Sequence, residues 1–289
     1  MTIETSEGPY QMRVRANGIA TSPTAANFDG LWSAAPADSE SGWGINLAHQ
    51  GDTIFATWFT YDPAGHAWWL TMSATRGDDN VYRGTLYETH GPSFNAVPFD
   101  PNAVTYRAVG SASLGFGGTN SGTFAYTVNG VTQTKAISRV TFGPLPVCTF
   151  GVQPNLALAT NYQDAWWVDR AAESGWGVNF TQQGDVIFVT WFTYDFDGTP
   201  LWLSATAPRI AAGIFGGTLY RTTGSAFSAT PFNPQDVVRT PVGALTLTFV
   251  DGNNATFAYT VTLGTPAATV SQAKQLTRLV FRAPGTVCQ

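Results

Sequence analysis

The chain has 289 residues and a formal net charge of −5, with 11% charged residues, 13% aromatic residues and 30 glycines. This acidic balance argues against nucleic acid or an anionic membrane surface as a partner. No apolar run approaches the roughly 18 residues that a membrane-spanning helix needs, so no membrane span is expected.

Residues 1–26 form an N-terminal extension. They begin MTIETSEG, without the apolar core of a signal peptide. The segment PYQMRVR alternates Tyr10, Met12 and Val14 with polar residues, which predicts one strand. Because a lone strand needs a sheet edge, it would pair with the second domain or, by self-association, with another copy of the chain. A disordered leader is the alternative.

An internal repeat organises the rest of the chain. The letters ESGWG occur at 40–44 and again at 173–177, an offset of 133 residues. The same offset aligns SGWGINLAHQGDTIFATWFTYD with SGWGVNFTQQGDVIFVTWFTYD without a gap. We therefore predict two homologous domains, at 27–148 and 161–289, joined by a linker at 149–160.

Within each unit the hydrophobic period is two, and Gly, Asn and Asp turns separate short strands. This pattern predicts an all-β fold of two tandem antiparallel β-barrels of about eight strands each. Two β-sandwiches are the alternative. The strands expected in the first unit lie around 30–34, 42–50, 53–61, 67–75, 81–88, 104–116, 121–129 and 132–142.

The Gly51-Asp52 turn fixes a register for the second and third strands. Gly44 then faces Phe59, and Ile45 faces Trp58. Aromatic rings are expected to cover the strand glycines on one face of the sheet. On the other face we expect equivalent tryptophan clusters in the two units, formed by Trp43, Trp58 and Trp69, and by Trp176, Trp191 and Trp202.

The same register places two carboxylates at one end of this hairpin in each unit. Close carboxylates could bind Ca²⁺ or act as an acid/base pair on a glycoside. The favoured interpretation is structural: Asp62 caps its own turn, and Glu40 pairs with a cation such as Arg139 or Lys135. The carboxylates concerned are Glu40, Asp62, Glu173 and Asp195.

A small polar patch among aromatic rings is the candidate ligand site. Asn46 and Thr57 face each other across the hairpin and share a face with Tyr61, a composition typical of ligand pockets. A hydrogen-bonded layer beneath a loop is the alternative. The predicted ligand-binding residues are Asn46, Thr57, Tyr61, Trp69, Asn179, Thr190, Tyr194 and Trp202. No cofactor is predicted.

The two cysteines, Cys148 and Cys288, each end a unit. A disulfide between them would close a loop of about 140 residues and contribute at most about 5 kcal/mol in the chain-entropy model. Free buried thiols are the alternative.

The segment NFDGLW contains a Gly-x-Trp start that resembles calycin barrels, the avidin- and lipocalin-like group. The resemblance implies an eight-stranded barrel with a small-molecule site in its mouth. It also implies that Arg139, and Arg278 in the second unit, cover the tryptophan. The duplicated ESGWG and TWFTYD segments are similar to repeats of uncharacterised secreted bacterial proteins.

Together these features predict a secreted, periplasmic or cell-surface binding protein without enzymatic activity. Its expected partner is a small apolar or aromatic molecule or a glycan, bound at one aromatic-walled site in each barrel. A structural, adhesive or self-assembling surface protein is the first alternative. A hydrolase that uses the paired carboxylates is the second.

Overall fold

The computed structural model describes residues 3–5, 12–14, 25–153, 155–168 and 172–289. The fold is all-β, with two closed eight-stranded antiparallel barrels in tandem. The barrel prediction is confirmed, and the sandwich alternative is excluded because both ladders close on themselves. Within the described ranges, no helix is long and apolar enough to cross a membrane.

The N-terminal extension contains a short hairpin in which β1 (Ile3–Thr5) pairs with β2 (Met12–Val14). The strand expected around Tyr10–Val14 therefore finds its partner in the chain's own first residues. Tyr10 itself lies outside the described residues.

The first barrel closes when its last strand pairs with its first, Arg139 lying opposite Trp32. Every other strand pairs with the next one along the chain. Its strands are β3 (Gly30–Ala34), β4 (Gly44–Gln50), β5 (Thr53–Tyr61), β6 (Ala67–Arg76), β7 (Tyr82–His90), β8 (Thr105–Phe116), β9 (Ser121–Val128) and β10 (Val131–Arg139).

After β11 (Cys148–Phe150), the second barrel repeats this order, and Arg278 lies opposite Trp166 where it closes. Its strands are β12 (Asp164–Val168), β13 (Gly177–Gln183), β14 (Val186–Tyr194), β15 (Pro200–Ala211), β16 (Ile214–Thr223), β17 (Val238–Phe249), β18 (Asn254–Leu263) and β19 (Ala268–Arg278). Single 3₁₀ turns occur at Pro101–Ala103, Leu156–Leu158 and Pro234–Asp236.

The ends of the two units meet outside the barrels. β11 pairs with β20 (Thr286–Cys288), and Cys148 and Cys288 lie opposite each other in that ladder. They form a disulfide, with their Cα atoms 4.0 Å apart.

The register derived for β4 and β5 is confirmed: Gly44 lies opposite Phe59, and Ile45 opposite Trp58. The prediction that Trp69 joins Trp58 is wrong. Tyr61 pairs with Ala67 across the next turn, so Trp69 lies opposite Phe59. Because side chains alternate between faces, Trp69 points outward while Trp58 points into the barrel.

The same pairing in the second barrel places Trp202 opposite Phe192. Trp202 therefore also leaves the predicted cluster, in which Trp176 and Trp191 remain in contact at 6.3 Å between ring centroids. A ring covers only one of the two strand glycines. A methyl group at Gly177 would meet Phe192, but one at Gly44 would meet Leu31.

Two loops cross between the barrels. The Phe94 loop (residues 91–104) follows β7, and the Phe227 loop (residues 224–237) follows β16. Phe94 packs against Trp191 and Tyr259 of the second barrel at 5.9 and 6.4 Å.

Phe227 makes the reciprocal contacts with Trp58, Trp68 and Tyr126 at 6.2, 5.3 and 6.4 Å. The Tyr126 hydroxyl donates to the Phe227 carbonyl oxygen at 3.0 Å. Each barrel interior is thus covered at one end by a phenylalanine from the other barrel.

Phe227→Ala should lower the free energy of unfolding by about 3–5 kcal/mol, because it leaves a cavity among the rings at the end of the first barrel. Phe142→Ala is the matched control, since Phe142 is 41% exposed, and it should change stability by less than about 0.5 kcal/mol. Urea unfolding of the full chain measures both. Equal stability of the two variants would contradict the packing role of Phe227.

Candidate functional site

The predicted ligand-binding residues lie on the outer faces of the two barrels, where those faces meet. All are buried, and the largest exposed fraction among them is 5%, at Trp202. Most of this set therefore forms the interface between the barrels. Thr190 and Trp202 also line a cleft, described below.

Reciprocal hydrogen bonds from tryptophan side chains join the two faces. Trp69 Nε1 donates to the Thr193 carbonyl oxygen at 2.9 Å, and Trp202 Nε1 donates to the Thr60 carbonyl oxygen at 3.0 Å. The rings continue the contact, since Phe59 and Trp202 lie 5.7 Å apart. Each indole N–H donates to a backbone carbonyl oxygen of the other barrel. These two hydrogen bonds fix the position of one barrel relative to the other.

The polar patch is hydrogen-bonded across the interface on one side only. Asn46 Nδ2 donates to Thr190 Oγ1 at 2.7 Å, and Thr181 Oγ1 donates to Asn46 Oδ1 at 3.0 Å. The equivalent amide, Asn179 Nδ2, has no partner among the described residues. Ala48 stands where the second barrel has Thr181, so one donor of that equivalent network is missing.

The repeated Gly-Trp-Gly segment is a joint between the barrels. Gly42 has φ +129°, and a methyl group there would overlap Val237 from the Phe227 loop. A methyl group at Gly175 would likewise overlap Val104 from the Phe94 loop. Tyr61 donates its hydroxyl proton to the Gly42 carbonyl oxygen at 2.7 Å, and burial raises the Tyr61 pKa to about 12. Glycine is needed here because the other barrel approaches the backbone closely.

Structural partners occupy the candidate carboxylates. Glu40 accepts from Lys135 Nζ at 2.8 and 2.9 Å and from Trp43 Nε1 at 2.9 Å. Asp62 accepts from the backbone N–H groups of Ala64 and His66 in its own turn, at 2.8 and 2.9 Å. These contacts confirm the favoured interpretation of Glu40 and Asp62.

The second unit repeats the ion pair between glutamate and lysine, but a different aspartate caps its turn. Glu173 accepts from Lys274 Nζ at 2.8 and 2.9 Å. Asp195 forms an ion pair with Arg221 at 2.9 Å, while Asp197 caps the turn through Thr199. All four candidate carboxylates are therefore engaged in structural contacts.

The basic residues named by the calycin resemblance do cover the tryptophans. The Arg139 guanidinium lies 5.0 Å from the Trp32 ring centroid, and that of Arg278 lies 5.2 Å from the Trp166 centroid. These are cation–π contacts at the positions where the last strand of each barrel pairs with the first. They describe these residue pairs and do not by themselves establish a family.

A buried acid lies beside the disulfide. Asp29 Oδ1 accepts from Gln163 Nε2 at 3.0 Å, and Oδ2 accepts from the His49 backbone N–H at 3.3 Å. Burial, and then the nearby Asp164 carboxylate, raise the Asp29 pKa to about 8. Burial also raises the Asp164 pKa. The cysteine sulfurs near Asp29 are bonded to each other, so they are not thiolate ligands for a metal.

One cleft opens at the interface, beside the Gly-Trp-Gly segment of the first barrel, with a volume of about 390 Å³. Trp43, Phe59, Phe188 and Trp202 give it aromatic walls. The other lining residues are aliphatic, small or hydroxyl-bearing, apart from one cation: Leu31, Ser33, Ser41, Gly42, Gly44, Val140, Thr190, Ser204, Thr222, Pro234, Val237 and Arg239.

The equivalent position on the other side of the interface is filled. Ser33 lies opposite Ser138 in its ladder, as Trp167 lies opposite Thr277, so the two positions correspond. Trp167 packs against a cluster of five buried residues, Ala48, Phe55, Ala165, Leu279 and Phe281. Three of them, Phe55, Ala165 and Leu279, correspond by repeat and register to Phe188, Leu31 and Val140, which line the open cleft.

Two phenylalanines that correspond in the repeat, Phe55 and Phe188, differ in solvent exposure. Phe55 is 3% exposed within the cluster that Trp167 packs against, whereas Phe188 is half-buried in the open cleft. The filled side also has Phe281, 6.2 Å from Phe55 and 1% exposed, where the open side has Phe142, which is 41% exposed. The side with the cavity thus has a serine and an exposed phenylalanine where the filled side has a tryptophan and a buried phenylalanine.

The sequence reasoning missed Ser33, Phe188 and Arg239, because it concentrated on positions that the repeats share. The useful signal lay in the positions at which the two repeats differ. Ser33 aligns with Trp167, and Arg239 with Tyr106, and these differences fall on the two sides of a duplicated interface.

Comparison with known proteins supplies no relative: the chain matches no family model, no curated protein and no solved structure.

Asp29→Asn should flatten the pH dependence of stability. Because the folded-state pKa is raised from 3.8 to about 8, the stabilisation by Asp29 is complete below the ordinary pKa and is lost as the pH rises towards 8. His49 has the opposite sign, since burial lowers its pKa from 6.5 to about 3. Its contribution is lost only as the pH falls below its ordinary value.

Urea unfolding between about pH 6.5 and about pH 8 therefore isolates the carboxyl groups. The wild-type free energy of unfolding should fall by about 1 kcal/mol per pH unit in this window, and the variant should show a smaller slope. Identical slopes would show that Asp29 does not titrate there.

Proposed function

We propose that the protein is a secreted, non-enzymatic binding protein that takes a small apolar or aromatic molecule in the cleft between its barrels. One observation carries the proposal: the interface fills this position with Trp167 on one side and leaves it open at Ser33 on the other. If close packing were the only requirement, a large side chain would be favoured at both positions, because an unfilled apolar cavity costs stability.

The chemistry of the walls supports an aromatic or apolar ligand. The volume of about 390 Å³ falls in the range of small-molecule pockets, which combine apolar walls with few polar groups. The hydroxyls of Ser33 and Ser204 have no hydrogen-bond partner among the described residues, so they can orient a ligand. No carboxylate or amide lies among the described lining residues, which favours an aromatic molecule over a sugar.

Two further observations support the rest of the proposal. The disulfide between Cys148 and Cys288 is typical of proteins in oxidising compartments, and thus of export. The candidate carboxylates are held by lysine, arginine or their own turns, which favours binding over hydrolysis.

Ser33→Trp should close the cleft without unfolding the protein, because a tryptophan already occupies the corresponding position at Trp167. The probe is N-phenyl-1-naphthylamine, a neutral aromatic molecule whose fluorescence rises in apolar surroundings. Wild-type protein should bind one equivalent, and the variant should lose at least about 90% of the signal, with its melting temperature retained.

Trp167→Ser is the matched control, since it removes bulk from the corresponding position on the other side. It should leave binding at the first cleft intact. Absence of probe binding to the wild type, or equal binding to Ser33→Trp, would overturn the proposal.

A further inference from the structure

We infer that the cleft selects aromatic molecules that carry a single anionic group, and that Arg239 binds this group. The inference rests on the proposed function, and it names the class of ligand that the cleft takes. It is carried by the position of Arg239, its support by Tyr220 and its lack of an acidic partner.

Arg239 is the single charged residue among the described residues that line the cleft, and it is exposed to solvent. It lies in β17, next to the end of the Phe227 loop, whose Pro234 and Val237 form part of the same lining. A cation is therefore available at the side of the aromatic chamber that meets water.

The guanidinium of Arg239 lies 5.2 Å from the centroid of the Tyr220 ring. A cation–π contact of this kind does not use the guanidinium N–H groups as hydrogen-bond donors to the ring edge or hydroxyl. Tyr220 thus supports the cation and leaves its N–H groups for a second partner.

No carboxylate supplies that partner within the described part of the chain. Arg83, Arg107, Arg209 and Arg221 each form an ion pair with an aspartate or glutamate, and Arg239 does not. An unpaired cation at the solvent side of an apolar cleft is available to an anionic ligand group. A carboxylate, sulfonate or similar group of a ligand would complete it.

The duplication gives an internal comparison. The residue that corresponds to Arg239 on the filled side is Tyr106, because Thr105 lies opposite His90 as Val238 lies opposite Thr223. The cation therefore occurs on the side where Ser33 leaves space, and it is absent from the side that Trp167 fills. The cavity and the cation thus occur on the same side of the interface, as expected for a site that binds an anionic ligand.

Two fluorescent probes with one aromatic skeleton test the inference. 8-Anilinonaphthalene-1-sulfonate carries a sulfonate, and N-phenyl-1-naphthylamine is its neutral counterpart. Wild-type protein should bind the sulfonate about tenfold more tightly, which is the scale of one charge-assisted hydrogen bond. Added salt should weaken binding of the sulfonate and leave the neutral probe nearly unchanged.

Arg239→Gln should remove this preference, lowering sulfonate affinity about tenfold while the affinity for the neutral probe stays within about twofold. The matched control is Arg209→Gln, which removes another exposed arginine of the second barrel, one paired with Asp185 outside the cleft lining. That variant should keep the wild-type preference.

The outcomes separate the two proposals. If neither probe binds, or if Ser33→Trp binds both as the wild type does, the proposed function fails. If the neutral probe binds in the cleft but the sulfonate preference is absent, or survives Arg239→Gln, the inference about an anionic ligand fails alone. Melting curves and near-UV circular dichroism of each variant exclude dye binding to partly unfolded protein.

Discussion

The mutual covering of two aromatic barrel faces is the constraint on which the structure depends. A closed barrel has no free sheet edge through which it can join a neighbour, so the barrels associate through side chains. The side chains of Phe59, Tyr61 and Trp69 project from the outer face of the first barrel. The corresponding face of the second barrel buries them. Without that cover, each barrel would expose a large apolar patch.

This constraint also explains the repeated motif. Three contacts across the interface appear twice in a pseudo-twofold arrangement. In each copy, an indole donates to the facing backbone, a phenylalanine covers the facing interior, and a valine rests on the facing glycine. The relation resembles a symmetric dimer interface contained in one chain. The first glycine of each Gly-Trp-Gly segment is therefore required by the close approach of the other barrel, and not only by the conformation of its own strand.

The register of β4 against β5 could be derived from sequence because it depends on a two-residue turn and a period of two. The longer turn after Tyr61 did not fix the register of β6, so Trp69 was assigned to the wrong face. Glu40 and Asp62 were interpretable because their partners lie on a neighbouring strand and in the adjacent turn. The interface was harder, because its contacts join residues more than 100 positions apart, such as Trp202 and Thr60. One signal existed: TIFATWFTY is apolar on both faces of the strand, a pattern typical of sheets covered on both sides.

The disulfide makes the second barrel part of a covalent ring. Residues 148–288 are closed by the bond between their two ends, so one peptide bond cut anywhere inside that ring leaves a single covalent molecule. A protease that nicks the linker between the barrels would open the ring without releasing either half. A cut within the first barrel has no such protection, because its strands all precede Cys148. Resistance to fragmentation by a protease is therefore concentrated in the C-terminal half of the chain.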